Sequence, residues 1–401
     1  MIQKVKIKLL AIYQSEKEIT AHNRFIKPLL ELSNRDHEIH LIYTGKIISS
    51  GNMILHPIKN IRFHWIPSLP FLLQSFIISL GIIRKNDINV FLCYREEDLI
   101  LGWLLKRIKK NISLVYYAHG DGITVQGLNI RSFLDKIKYS LSLILEKIFL
   151  PKADLIITVS LDTKLRILNR VNMNPNRFSV IYNNVLPSKP QPVPLLERLK
   201  KDNKFIIGFV GYLDLLKGVK TLLYAFSSLN EEYNNIVLVF VGNGSIKKDL
   251  EDFVKLKNLN GRVIFTGWVR NPLDYMQYFD VLVLPSLYEG CPSVILEAFS
   301  LNIPVLGSKA GGIPELLNYE ELLFQPLNYR ELANKLKLLF NSNENYIYFK
   351  RLIEERKKLF LFDHTSAIEK LLIECVTHQK DELHEEILKY GEGNNERRLM
   401  P

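Results

Sequence analysis

The sequence predicts an α/β protein made of two doubly wound, Rossmann-like domains facing a cleft. Three observations predict it. Short apolar runs alternate with helix-length segments, and this series occurs twice along the 401 residues. Between the two series lies Pro187-Ser-Lys-Pro-Gln-Pro-Val-Pro194, whose four prolines neither continue a helix nor fill a central strand. Several runs end in glycine turns followed by helix signals, as parallel strands do in βα units.

In the first half the apolar runs cover residues 5–13, 39–43, 90–93, 114–117, 155–159 and 180–182. Each is short enough for a buried strand. The basic start at residues 4–13 gives way to Gln14-Ser-Glu-Lys17, too early for a signal peptide. Residues 65–83 have the length of a membrane span. Pro67, Pro70 and Gln74 interrupt them and leave 71–83 as a core-length helix. After the proline run, strands are expected at 205–210, 236–241, 263–266, 281–284 and 304–306, with helices over 219–229 and 246–257. The expected domains are 1–187 and 205–360, joined by a linker over 188–204. A helix lies within 361–390, and 391–401 is a polar tail.

Composition narrows the function. Hydrophobic residues are 47% and charged residues 24%, ordinary for a globular chain. Cys93, Cys291 and Cys375 are odd in number and far apart, which excludes a disulfide framework and a four-cysteine zinc site. Charge is lopsided. Residues 1–190 carry 27 Lys and Arg against 14 Asp and Glu, whereas the remainder carries 26 against 28. A basic half suits nucleic acid, an anionic membrane surface or an acidic substrate. No basic-plus-aromatic module of nucleic-acid binders is present, so nucleic acid is not an expected partner. Lys106-Arg107-Ile-Lys109-Lys110 and the amphipathic stretch 131–145 make a membrane surface an expected one.

Ligands of doubly wound sheets bind at the carboxyl ends of strands, so chemistry is sought there. The first cluster, Gly208-Phe-Val-Gly211-Tyr-Leu-Asp-Leu-Leu-Lys217-Gly218, sets a lysine at a helix start, a phosphate-like site. A plain βα turn with a surface lysine fits it equally well. Val241-Gly242-Asn-Gly244 on its own reads as a turn. The informative stretch is Pro285-Ser286-Leu-Tyr-Glu289-Gly290-Cys291-Pro292-Ser293-Val294-Ile-Leu-Glu297. Pro292 fits the first helical position. Glu289 falls in a loop and Glu297 inside the helix, so both reach around a ligand at the helix start. A carboxylate among apolar neighbours is costly unless it is paired or bound to a ligand. The plainer reading is a surface glutamate plus one paired to a nearby lysine. Gly307-Ser-Lys-Ala-Gly311-Gly312-Ile-Pro314-Glu315 follows the next strand. There is no Asp-x-Asp and no metal-ligand spacing, so no metal is expected.

In order and spacing these motifs resemble the nucleotide-sugar half of the retaining GT-B glycosyltransferases called family 4. They are Gly211…Lys217-Gly218, Gly242-x-Gly244, Phe265-Thr-Gly267, Pro285-Ser286, Glu289-x7-Glu297-Ala298 and Gly311-Gly312-x-Pro314-Glu315. The resemblance implies a hexosyltransferase-type enzyme (EC 2.4). It would move a sugar, with retention, from a nucleoside diphosphate sugar to a hydroxyl of a glycan or lipid-linked glycan in cell-surface polysaccharide synthesis. It implies that Glu297 grips the ribose, Glu289 contacts the donor sugar and Lys217 binds the diphosphate. Gly211, Gly242, Gly244, Ser293 and Val294 would help hold the donor, and His119 of Tyr117-Ala-His119-Gly-Asp121 would stand near the transferred sugar. The catalytic set is then His119, Lys217 and Glu289. Donor binding is assigned to the second domain, acceptor binding to the first, and the helix around 365–375 is expected to return to the first. The expected site of action is cytoplasmic, peripheral at the inner membrane face.

The chain departs from the family pattern in places. Tyr212 stands where a basic residue is usual, leaving Arg270 and Lys309 as substitutes. Asn184 replaces a glycine, and the N-terminal loop at 14–20 lacks the family's glycines. The same motifs also suit a nucleotide-sugar epimerase of this architecture, or a non-catalytic sugar- or nucleotide-binding relative.

Overall fold

The computed structural model describes residues 5–14, 24–47, 50–59, 69–186, 189–229 and 232–377. They form two compact units. The first gathers the described residues up to Val159, Lys164–Ile181 and those from Asp363 onward. The second comprises Ser160–Thr163 and Tyr182–Phe362. The loop at 15–20, Pro187 and the tail from Gly391 lie outside the described residues.

The first unit holds β1 (Lys8–Tyr13), β2 (Glu38–Tyr43), β3 (Ile54–Pro57), β4 (Val90–Cys93), β5 (Ser113–Ala118), β6 (Leu155–Thr158) and β7 (Phe178–Val180). They pair in the order β3-β2-β1-β4-β5-β6-β7, all parallel. Strands β4, β5 and β6 are buried at every residue, as parallel strands covered on both faces must be. Two features differ from expectation. The edge strand β3 (Ile54-Leu-His-Pro57) is part exposed and mixed in polarity, so no apolar run announces it. Strand β7 begins two residues before the expected 180–182.

The helix expected at 71–83 runs over Leu69–Lys85. Among the described residues no helix is long and apolar enough to cross a membrane. The helix His364–Thr377 packs against the helix Lys27–Ser33 within this unit. Polar contacts fasten it. Arg35 reaches Asp363 at 2.9 Å and Glu369 at 2.8 Å, and His37 Nε2 lies 2.8 Å from Glu369.

The second unit holds β8 (Phe205–Val210), β9 (Ile236–Val241), β10 (Val263–Gly267), β11 (Val281–Leu284), β12 (Val305–Ser308) and β13 (Leu323–Phe324). The order is β10-β9-β8-β11-β12-β13, again all parallel. Strand β13 has two residues and was not expected. The linker at 188–204 needs correction, because the helix Pro194–Lys201 occupies its second half. Pro194 starts that helix, where its missing N–H costs nothing. Leu196 is buried, and Lys200 pairs with Asp280 at 2.7 Å while Asp280 also accepts the Ile206 amide. The prolines therefore lead into a docked helix rather than a free tether.

All three cysteines are buried and none forms a disulfide. Burial pushes the Cys93 thiol well above its usual range.

A buried charge cluster closes one side of the first unit. Arg170 grips Asp121 at 2.6 and 2.9 Å and Glu146 at 2.8 Å through two nitrogens. Both carboxylates are almost fully shielded. Removing the arginine strands two buried anions. Arg170→Ala should therefore lower stability by about 3–5 kcal/mol. Arg170→Lys should recover only part of that, because a lysine cannot fork to two carboxylates. Urea denaturation of the three proteins checks this, and an unchanged midpoint for Arg170→Ala would contradict it.

Candidate active site

In the second unit the chain order reverses between β8 and β11, which lie side by side. A doubly wound sheet opens a crevice at such a switch point, at the strands' carboxyl ends. The two loops that leave β8 and β11 meet there. Lys217 comes from the first and Glu289 from the second. Lys217 Nζ lies 2.6 Å from Glu289 Oε1, and Ser286 Oγ donates to the same oxygen at 2.9 Å. Ser286 is fully buried, and Glu289 is mostly shielded. The expectation had Lys217 on a diphosphate and Glu289 on a sugar. In the structure they hold one another.

Close backbone packing builds this corner. The turn at Gly218 has φ +62, and a Cβ there would sit 1.9 Å from the Pro285 carbonyl. Gly311, φ +56, lies equally tight against the Glu289 backbone, whose carbonyl accepts the Gly312 amide at 2.8 Å. The loops after β8, β11 and β12 thus interlock through main chain and have no room for side chains there. Gly211, Gly242 and Gly244 do similar work, joining the β8 and β9 loops.

Pro292 caps the helix Ser293–Ser300 from outside rather than opening it, one position earlier than expected. Ser293 and Val294 supply first-turn amides, which have no partner inside their own helix. Glu297 is the fifth helical residue and is half-buried between buried Leu296 and Ala298. Of the substitutes for a basic residue at Tyr212, Lys309 is tied to Glu320 at 2.5 Å and Arg270 is exposed beyond β10. Tyr212 is itself largely exposed. Glu315 accepts the amides of Leu161 and Asp162 and the Tyr182 hydroxyl, and burial raises its carboxyl pKa.

The first unit places His119 just past β5. Its ring lies 4.1 Å from the rings of Phe25 and Tyr117 and 5.7 Å from that of Tyr94, centre to centre. Among the described residues His119 Nε2 is buried without a hydrogen-bond partner, a costly state unless a ligand satisfies it. Burial, with some help from His364 and Arg24, pushes its pKa down to about 3. Asp121, two residues on, is structural, being the helix cap and the partner of Arg170.

One candidate escaped the sequence reading. Glu96 follows β4 and accepts the Tyr116 hydroxyl at 3.1 Å. Burial, reinforced by Glu97 and Glu146, pushes its carboxyl up to about 7. The signal was the charged quartet Arg95-Glu96-Glu97-Asp98 immediately after a wholly apolar strand. Among the described residues no cluster of His, Cys, Asp and Glu could hold a metal ion.

Two doubly wound parallel sheets in one chain match the architecture of the GT-B glycosyltransferases. Residues 196–359 match the family model Glycosyl transferases group 1, and residues 29–188 match Glycosyltransferase Family 4. A glycosyltransferase of Methanocaldococcus jannaschii is 31% identical over 310 residues, 72% of this chain and 76% of that one. The N-acetylgalactosamine-N,N'-diacetylbacillosaminyl-diphospho-undecaprenol 4-alpha-N-acetylgalactosaminyltransferase of Campylobacter jejuni is 27% identical, covering 84% of this chain and 91% of its own. The crystal structure of Anabaena HepE in complex with UDP and glucose superposes with a TM-score of 0.68 at 18% identity, over 91% of this chain and 98% of that one. The chain belongs to the group 1 glycosyltransferases and is a transferase of class EC 2.4.

The depressed His119 pKa fixes the sign of a pH effect. Folded, the ring stays neutral; unfolded, it titrates near 6.5. The stability it contributes is complete above that value and is lost as pH falls from 6.5 toward about 3, by up to ~1.4 kcal/mol per pH unit. His119→Asn should flatten the acid limb of stability against pH relative to the parent protein. Urea midpoints measured at stepped pH decide it, and parallel profiles would exclude this assignment.

Proposed function

We propose that the enzyme transfers a sugar, with retention, from a nucleoside diphosphate sugar to a hydroxyl of a glycan or lipid-linked glycan. The observation that carries this is the Lys217–Glu289 pair, joined to Ser286 at the switch point beside the start of the helix bearing Glu297. A cation, first-turn amides and a carboxylate one turn deeper form one graded site. A diphosphate suits the first two and ribose hydroxyls suit the third. The HepE complex with UDP and glucose supports a donor of this chemistry, and the undecaprenol-linked substrate in the Campylobacter enzyme's name supports a lipid-linked acceptor. The related capsular polysaccharide biosynthesis glycosyltransferase CapM of Staphylococcus aureus supports a role in surface polysaccharide synthesis.

In this reading donor binding breaks the resting ion pair. The diphosphate takes Lys217, and Glu289, still held by Ser286, turns to the sugar hydroxyls. As the glycosidic bond breaks, charge grows on the leaving diphosphate. Lys217 and the amides of Ser293 and Val294 stabilise that charge without a metal ion. The acceptor hydroxyl attacks from the face the diphosphate leaves and gives its proton to a departing phosphate oxygen. His119, neutral throughout the working range, offers Nε2 to a sugar hydroxyl.

The three charged residues should separate in kinetics. Lys217→Ala should lower kcat by about 10²–10³, as loss of an oxyanion donor does. Glu297→Ala should raise the donor KM about ten- to a hundredfold and spare kcat, since the ribose contact is made in ground and transition states alike. Glu289→Ala should lower turnover yet bind nucleoside diphosphate at least as tightly, because it releases Lys217. Steady-state assays beside nucleotide calorimetry test all three. Wild-type turnover in both Lys217→Ala and Glu289→Ala would refute the site.

Chelation and product stereochemistry test the rest. EDTA should leave turnover unchanged, and the anomeric configuration of the donor should persist in the product by NMR. A chelator-sensitive rate or an inverted product would overturn the mechanism.

A further inference from the structure

The helix Phe133–Phe149 in the first unit is built inside out. Its buried positions are polar: Ser142, and Glu146 in the grip of Arg170. Six of its apolar residues face solvent, while Leu143, Leu145 and Phe149 are partly buried. Phe133, Leu134, Ile137, Leu141, Ile144 and Ile148 are all between 48% and 75% exposed. From Leu134 on they recur at intervals of three and four, which draws one continuous stripe about 20 Å long on a helix. A capping box between Ser132 and Asp135 fixes the helix start, so this is ordered structure and not a frayed segment.

The charges around the stripe share one sign. Arg131, Lys136, Lys138 and Lys147 are exposed. The helix has two acidic residues, and both are engaged, Asp135 in the capping box and Glu146 with Arg170. The neighbouring helix Asp98–Ile108 packs against it, with Trp103 on Phe149 at 5.5 Å, and ends in exposed Arg107 and Ile108.

We propose that this face docks on an anionic lipid bilayer. The stripe would lie among the acyl chains just below the headgroups, and the flanking lysines would pair with lipid phosphates. A second copy of the chain fits the stripe's spacing but not its charge, because two such faces would press lysine against lysine. An anionic surface satisfies both features. The inference concerns where the enzyme stands and does not depend on which sugar or acceptor it uses.

The full chain is sedimented with vesicles of phosphatidylcholine containing phosphatidylglycerol, and with phosphatidylcholine alone. It should pellet with the former, and rising salt should weaken binding. Two variants divide the contributions: Leu134→Gln with Ile137→Gln and Leu141→Gln, and Lys136→Glu with Lys138→Glu. Each should bind anionic vesicles at least about tenfold more weakly. Every altered side chain is exposed, so both should keep the parent melting temperature and nucleotide affinity. The proposal falls if the parent stays in the supernatant with anionic vesicles, or if the triple variant pellets like the parent. It falls also if the parent is a dimer that the triple variant dissociates without any vesicle binding, since the face then belongs to a second copy.

Discussion

The second unit rests on one contact, the Phe279 ring lying where a side chain of Gly208 would be. A Cβ at Gly208 would meet that ring at 1.9 Å. Gly208 sits inside β8 and pairs with Leu282 of β11. A glycine in a central strand weakens it unless something packs closely against the bare backbone. Here the neighbour is the residue two positions before β11 begins. The contact lies at the seam where β11 pairs with β8, and that adjacency makes the switch point. The loops bearing Lys217 and Glu289 can meet only because these strands are neighbours. The site's chemistry is thus a consequence of strand order.

The two units apply one logic to different ends. In the first, the reversal lies between β1 and β4, and Arg95 beyond β4 donates to Gln14 beyond β1 at 2.6 Å. A charged group bridges the loops in both units. In the second the bridge lies beside a helix start. In the first, the surrounding groups are pushed toward neutrality by burial, Glu96 upward and His119 downward.

Central strands were legible because burial on both faces demands an unbroken apolar run, as at 90–93 and 236–241. Edge strands were not. Ile54–Pro57 and Leu323–Phe324 carry little burial pressure, so composition does not mark them. The Pro194–Lys201 helix was hidden because proline signals a break more loudly than it signals a helix start. The glycine and acidic motifs of the site were legible as a set. The Lys217–Glu289 bond was not, because 72 residues separate the partners and only strand order brings them together. The glycines also carried a double meaning. The resemblance had Gly211, Gly242 and Gly244 help to hold a donor, whereas at Gly218 and Gly311 the structure shows backbone packed where a side chain would stand.

The three sealed thiols give each unit its own clock. Cys93 and Cys375 lie in the first unit, and Cys291 lies in the second, directly in the loop between Glu289 and the helix that carries Glu297. Asn183 donates to the Cys291 carbonyl at 2.8 Å, so that loop cannot swing out without losing a buried bond. A labelling reagent reaches such sulfurs only when the surrounding structure opens. The rate at which Cys291 reacts therefore counts openings of the loop between Glu289 and the helix Ser293–Ser300, while the other two count openings of the first unit's core. The chain's own thiols thus offer a means of asking, without an engineered cysteine, which half breathes first.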